Sequence, residues 1–481
     1  MALQMEKESM YMKRFYKQLK NSDAVVFSVM RQPFLFSANT LTYFPLTECA
    51  KDILLSSDWE NCAIIENISK SVLKRYGQKE IEKTCSKLTE FKENGVLSPI
   101  TKHEKGEIYY GDYYLKLVQS TRCNLHCSYC FARKDKKFDM SFETAKKAIL
   151  FFLDSFVPDD KRRYIIDLTG SGEPLLRLDF ILKVNDFVLK LKKERGINIF
   201  CQFASNGMLL TKDVSSLLKK KCILFGVSLD GEKEISEKNR TGLKYDIVAK
   251  NIVDMENKDF FGIAATYSGN NHDFIQIFKT LFKFKPEVVG MKPVRLSENN
   301  ENSINTKNIE DVKDSYDRFA KWLYKQLIGG RKDIFDALMK SEDYFARFLK
   351  VTIRPFRLYY RCSAGVNSFA VDSNENIIIC PAFIGREEGI IGNLKSGFDE
   401  KKKHKLENLY ADKIKYCKNC WARYTCAGEC FSVGFNDSKK IEKPTPTMCD
   451  LKKYLIQLSV WFWTRLRFER EEIYRNCIEK Y

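Results

Sequence analysis

The chain has 481 residues, a formal charge of +18, 44% hydrophobic and 13% aromatic residues, and sixteen cysteines. Its length exceeds what a single core usually serves, so two to four domains are expected, and the lack of a run of about 18 apolar residues argues against a membrane span. The first residues, MALQMEKESMYMKRFYKQLK, lack the apolar stretch of a secretory signal, so a cytoplasmic, reducing location is expected, where cysteines serve better as metal ligands than as disulfides.

The positive charge suggests an acidic partner, either nucleic acid or an acidic peptide. Lys and Glu alternate along most helix-like stretches, however, and would equally give a solvated surface.

Three short β-like runs come first, Ala24–Met30, Phe34–Ala38 and Leu41–Leu46. Helical patterns follow: Thr47 is placed to cap a helix carrying Ala50, Ile53 and Leu54, Ile68 to Leu73 mark a second, and Ile81, Cys85, Leu88 and Phe91 mark a third that ends near Gly95. This βββααα order resembles the winged-helix recognition element of enzymes that modify ribosomally made peptides. The resemblance implies a module that binds the leader of a precursor peptide as an added strand; a winged helix for DNA has the same outline.

From residue 114 strand-like and helix-like segments alternate. Strands are expected at 114–119, 164–169, 197–204, 223–229, 261–267 and 288–294, and helices near 142–155, 178–194, 211–219, 244–256, 272–283 and 309–327. Six such units fit a partial TIM-like barrel, whose chemistry gathers at the C-terminal strand ends. The first strand runs into CNLHCSYC, with Cys123, Cys127 and Cys130 on one short loop. A cubane iron–sulfur cluster normally takes four cysteines, so three leave one iron open. Structural zinc is the alternative, but it wants four ligands, and His126 lies between two of the cysteines.

The spacing resembles the signature of the radical SAM superfamily, in which the open iron holds S-adenosylmethionine (SAM); Tyr129 fits that signature too. Later strand ends carry Ser171-Gly172-Glu173, Ser205-Asn206 and Ser228-Leu229-Asp230, followed by Arg240. The resemblance implies that Tyr129, Gly172, Glu173, Ser205, Asn206, Ser228, Asp230 and Arg240 line the SAM site, with Ser171 in place of the usual first glycine of a GGE-type motif.

Seven further cysteines follow: Cys362, Cys380, Cys417, Cys420, Cys426, Cys430 and Cys449. A zinc ribbon would use four of them and strand three. Their order resembles the SPASM extension, which implies two auxiliary clusters. Cys417, Cys420, Cys426 and Cys449 would hold the outer one. Cys362, Cys380 and Cys430 would hold the inner one, a thiolate short, since no cysteine lies between 363 and 379. The run CWARYTCAGEC is similar to thioether-forming maturases of the ranthipeptide and SCIFF kind, with Ala427 and Glu429 departing from the commonest version.

The resemblances imply an α/β protein with four parts: 1–105 as the recognition element, 106–330 as the partial (β/α)6 barrel, 331–360 as a helical bridge, and 361–481 as the SPASM domain with a C-terminal helix. They imply three [4Fe-4S] clusters and SAM as cofactors, and a cysteine-containing precursor peptide as substrate. The expected reductant is of flavodoxin or ferredoxin type. The implied reaction joins a peptide cysteine sulfur to carbon through a 5′-deoxyadenosyl radical. Carbon–carbon crosslinking and formylglycine-type oxidation are alternatives within the class; a noncatalytic multi-cluster electron carrier and an RNA-modifying enzyme lie outside it, and neither nucleic acid nor membrane is expected as a partner. The remaining cysteines, Cys49, Cys62, Cys85, Cys201, Cys222 and Cys477, are expected to be buried structural thiols.

Overall fold

The computed structural model describes residues 14–20, 22–56, 68–98, 111–132, 138–156, 162–256, 258–354 and 356–481. The N-terminal part opens with an antiparallel sheet of β1 (Phe15–Gln18), β2 (Ala24–Val29), β3 (Gln32–Ser37) and β4 (Thr42–Pro45), in that order. Helices Glu48–Leu55, Lys70–Arg75 and Gln78–Glu93 follow, and the Thr47 hydroxyl caps the first by accepting from the Ala50 amide at 3.1 Å.

Side chains alternate across a strand, yet both faces of this sheet are apolar. Ala24, Val26 and Leu35 pack with Ile53, Ile81 and Leu88 of the helices. Phe27 and Phe36 turn the other way and meet Trp421 at ring-centroid distances of 6.5 and 5.6 Å. Three strands were expected and four are found. The extra one, FYKQ, is short and exposed and carries no apolar pattern of its own. It is ordered by pairing with β2, from Phe15 opposite Ser28 to Gln18 opposite Val25, and by Arg14, which donates to Glu310 at 2.7 Å and Asp317 at 3.0 Å.

The central part contains β5 (Tyr113–Leu117), β6 (His126–Cys127), β7 (Tyr164–Asp167), β8 (Ile199–Ser205), β9 (Leu224–Ser228), β10 (Arg240–Thr241), β11 (Gly262–Tyr267) and β12 (Val288–Pro293). Six of these form a parallel sheet in the order β12-β11-β9-β8-β7-β5. The helices between them are Phe142–Asp154, Leu178–Arg195, Lys212–Lys220, Tyr245–Val253 and Phe274–Phe282, with Ile309–Ile328 after β12. Each lies within a few residues of its expected place, and a short helix, Lys233–Asn239, is added.

The sheet continues past β5. β13 (Ser368–Val371) runs parallel beside it, and β14 (Asn376–Ile378), β15 (Ile390–Asn393) and β16 (Gly397–Phe398) extend it antiparallel to ten strands. Residues 368–398 therefore share a sheet with the central part, a continuity the cysteine pattern does not reveal.

Helix Pro446–Glu469 is buried around most of its circumference, as a helix apolar on all sides must be. It packs on helices Ile309–Ile328, Tyr344–Ile353 and Glu471–Lys480, and on β2. No helix among the described residues is long and apolar enough to cross a membrane. The N- and C-terminal parts are also joined by an ion pair 400 residues apart in sequence: the Arg423 guanidinium donates to both oxygens of Asp23, at 2.8 Å to Oδ1, and both side chains are buried.

Cys49, Cys85, Cys201 and Cys477 are buried as expected, and Cys62 lies outside the described residues. Cys222 corrects the expectation. It is exposed, with φ 55°, in the tight turn between helix Lys212–Lys220 and β9, where its side chain has no core to enter.

Candidate active site

The loop carrying Cys123, Cys127 and Cys130 leaves β5 and is fixed by neighbours on three sides. Within it, β6 pairs antiparallel with β10, setting Cys127 opposite Arg240, and the Ser128 amide donates to the Asn239 carbonyl at 2.9 Å. Asn124, next to Cys123, accepts from the Asn206 side chain at 2.7 Å. On the third side the β7 end presses against it: a Cβ at Gly172 would stand 2.2 Å from the Arg122 carbonyl oxygen and 2.9 Å from that of Ser120. Only glycine fits such an approach.

Behind Gly172 lies Glu173, 3% exposed. Its Oε1 accepts from the Leu175 amide at 3.1 Å and the Ser205 hydroxyl at 2.8 Å, and Oε2 from the Asn206 amide at 2.8 Å. Burial raises its pKa, while the donors from Asn206, Ser205 and Leu175 favour the carboxylate. Ser171 is also buried, 3.5 Å from the Pro381 carbonyl beside Cys380.

Asp230 and Arg240, both expected to contact a cofactor, are first of all partners of each other. Arg240 donates to Asp230 Oδ1 at 2.9 Å, the Thr266 amide to the same oxygen at 3.0 Å, and the Tyr129 hydroxyl to Oδ2 at 2.5 Å. Asp230 is fully buried, so it locks Tyr129, and with it the cysteine loop, to the strand ends. Arg240 adds its charge 5.6 Å from the Tyr129 ring centroid, and its buried Nε has no hydrogen-bond partner among the described residues.

These groups border a cavity of about 770 Å³. Cys123, Cys127, Cys130, Glu173, Ser228, Arg240 and Cys380 all line it. Its wall also carries Lys116, Lys292 and Arg295, which the sequence reading passed over. The signal for Lys116 and Lys292 was a lysine within an otherwise largely apolar strand.

The seven later cysteines fall into two electrostatic neighbourhoods. Cys417 is held well above the usual thiol range by burial and by Cys426, Cys449 and Cys420, and Cys449 is pushed up to about 12 by burial together with Cys426, Glu429 and Cys420. Cys362 and Cys380 are raised by burial and by Cys430. Burial also acts to raise Cys430, but Arg295 and the Ser432 hydroxyl bring it below the ordinary value. A buried ion pair, Lys452 to Glu429 at 2.6 Å, lies beside the first set. Ala427 adopts φ 59° directly after helix Arg423–Cys426.

Among the described residues no three Cys, His, Asp or Glu side chains close to the spacing of a single metal ion. Thiolates that serve separate irons of a cluster stand farther apart than that. The glycine cradle at 172 and the three thiols of the loop fit a SAM-binding cluster against this cavity.

The sequence model of the radical SAM superfamily matches residues 117–281. The uncharacterized protein MJ0907 of Methanocaldococcus jannaschii is 35% identical over 24% of this chain and 38% of its own length. The cysteine-type anaerobic sulfatase-maturating enzyme of Clostridium perfringens is 24% identical over 65% of this chain and 86% of its own. The structure of native anSMEcpe with bound AdoMet and the Cp18Cys peptide shares the fold with a TM-score of 0.57 and 19% identity, covering 76% of this chain and 99% of that one. The chain thus spans well under half of the first of these relatives and most of the second. It has the radical SAM fold and is similar in sequence to a sulfatase-maturating enzyme.

Proposed function

We propose that the protein is a radical SAM maturase that forms thioether crosslinks within a cysteine-containing peptide. The observation that carries this reading is the single cavity joining the Cys123, Cys127 and Cys130 loop to Cys380. Cys123, Cys127 and Cys130 would hold the SAM-binding cluster, with Gly172, Glu173, Ser205, Asn206, Ser228 and Arg240 shaping the SAM pocket and Tyr129 and Asp230 fixing the loop. Cys362, Cys380 and Cys430 would hold an inner cluster, and Cys417, Cys420, Cys426 and Cys449 an outer one. When bound, the three [4Fe-4S] clusters and SAM supply a 5′-deoxyadenosyl radical and a route out for one electron.

The chain's own contribution is placement. Cys362, Cys380 and Cys430 are one short of a cluster's usual four, which would leave a position for the peptide's cysteine, and Cys380 lines the same cavity as the Cys123, Cys127 and Cys130 loop. On the peptide, a C–H and an S–H give way to a C–S bond, releasing a hydrogen atom, a proton and an electron. Holding sulfur and carbon together removes most of the entropic barrier to closure. The N-terminal module, residues 1–105, would hold the leader and raise the effective concentration of the core. Both faces of its sheet are covered, so the leader would dock at a sheet edge. A flavodoxin- or ferredoxin-type protein would exchange electrons, and the cytoplasm is the proposed setting.

Formylglycine-type oxidation is the second reading, favoured by the similarity to a sulfatase-maturating enzyme over 86% of that enzyme. The test is anaerobic reconstitution with a cysteine-rich peptide, SAM and reductant. Thioether formation predicts a loss of two hydrogens per ring; unchanged peptide mass beside abundant 5′-deoxyadenosine would sink it.

A further inference from the structure

The interior of a parallel barrel is usually filled by bulky branched side chains. Here one side of it is hollow. Strand pairing sets Ala204, Gly226, Gly262 and Val288 side by side across β8, β9, β11 and β12, and sets Ser228, Ala264 and Gly290 side by side in the row above. All of them line the cavity, which also borders the three loop thiols and the buried Arg240 whose Nε has no partner among the described residues. Leu224 and Phe260 line it below the first row, and Phe260 is 71% exposed. Rows on one face of a sheet lie about 7 Å apart along the strand, so this recess is roughly that far beneath Ser228.

Glycine weakens a strand, and inside one it marks a bend, a close approach of backbone, or the approach of a ligand. Gly262 and Gly290 are not among the glycines with positive φ. Neither is crowded. A Cβ at Gly262 would meet nothing nearer than the Val288 Cβ at 3.6 Å, and one at Gly290 nothing nearer than the Ser341 Cβ at 3.7 Å. Both positions have room for a side chain that the protein does not supply.

The recess is apolar where the facing part of the cavity is not. Lys116, Asp167 and Gln202 stand in register on β5, β7 and β8 and line the cavity on that side. Of the charged residues that follow β12 on its wall, Lys340 is paired with Glu287 at 2.7 Å and Glu342 faces Lys350 at 3.7 Å.

We infer that this recess is a specificity pocket that takes a bulky apolar side chain, Leu or Phe in kind, from a residue of the bound peptide near its reacting cysteine. This rests on the peptide-substrate part of the proposed function, and it concerns recognition rather than bond formation. An apolar side chain lodged one row below Ser228, itself assigned to the SAM pocket, would fix which neighbouring carbon faces the radical source.

The test uses the anaerobically reconstituted holoenzyme with SAM and no reductant, so that binding is read without turnover. Fluorescent cysteine-containing peptides are compared in pairs, Leu against Ala, with that residue placed from one to six positions away from the cysteine. At least one Leu peptide should bind wild type roughly tenfold tighter than its Ala partner, as burial of the larger side chain dictates. Gly262→Val should abolish the preference by weakening the Leu peptide while the Ala peptide and SAM bind as before. Gly262→Ala, whose added methyl makes only ordinary contacts, should reduce it in part and carries the test if the valine variant does not fold. Equal binding within every pair, or a preference at full strength in either folded variant, would overturn the inference. Weakened SAM binding with the peptide preference intact would assign the recess to SAM and overturn it as well. A preference for Leu followed by no change in peptide mass once reductant is added would leave the inference standing and sink the thioether reading, so the two failures are separable.

Discussion

At Gly172 the β7 end approaches the cysteine loop closely enough to bar any side chain. Gly172→Ala must displace the Arg122 carbonyl, and with it the loop that carries Cys123. A shift of the order of 1 Å costs roughly 100-fold in rate, so SAM cleavage to 5′-deoxyadenosine should fall by about that factor while the protein stays folded. Asp230 is a different case, because its oxygens are taken by Arg240, Tyr129 and Thr266. Asp230→Asn leaves the buried Arg240 uncompensated and should cost about 3 kcal/mol of stability. Tyr129→Phe removes one hydrogen bond and should cost about 1 kcal/mol; urea unfolding measures both. The polar strand ends stand out in the sequence because small and polar residues there follow apolar runs. That Asp230 braces the loop is not legible, since it depends on which strand ends meet in space. Lys116 and Lys292 escaped for the opposite reason: each looks like an ordinary solvated lysine until the strands set it on the cavity wall.

The parallel strands and their helices were legible because each alternates apolar runs with amphipathic turns of regular length. Strands made only by their partners were not. β1 has four residues and no apolar stripe, and β13 to β16 are two to four residues long. Helix Tyr344–Ile353 shows how burial sets the behaviour of an element. Its cap, Asp343, accepts from the Phe345 and Ala346 amides at 2.7 and 3.0 Å, yet full burial lifts its pKa to about 6 from 3.8, against the pull of those amides. The folded state therefore binds the proton more tightly than the unfolded state. Stability contributed by that proton is complete below about pH 4 and is lost as pH rises through 6. Wild type should lose about 1 kcal/mol relative to Asp343→Asn between pH 5 and 7, read from urea midpoints; a gain for wild type over that range would contradict the buried, proton-holding cap.

At the scale of the whole molecule, the N-terminal module is joined to the region of the outer thiols. Trp421 and Arg423 lie between Cys420 and Cys426 and pack on β2, β3 and Asp23. Asp23→Ala would leave Arg423 buried and uncompensated, at a cost of about 3–5 kcal/mol. Limited proteolysis should then release the N-terminal module from a protein that otherwise keeps its sheet. A leader docked on that module, as proposed, would be tied through this contact to the segment that carries Cys420 and Cys426. The central claim is that the cavity brings a peptide sulfur to the radical source, and its most direct test is the number of alkylatable thiols left on the peptide after turnover. The prediction is one thiol lost for every pair of hydrogens removed. A peptide that loses hydrogens while every cysteine still takes the alkylating agent would contradict it.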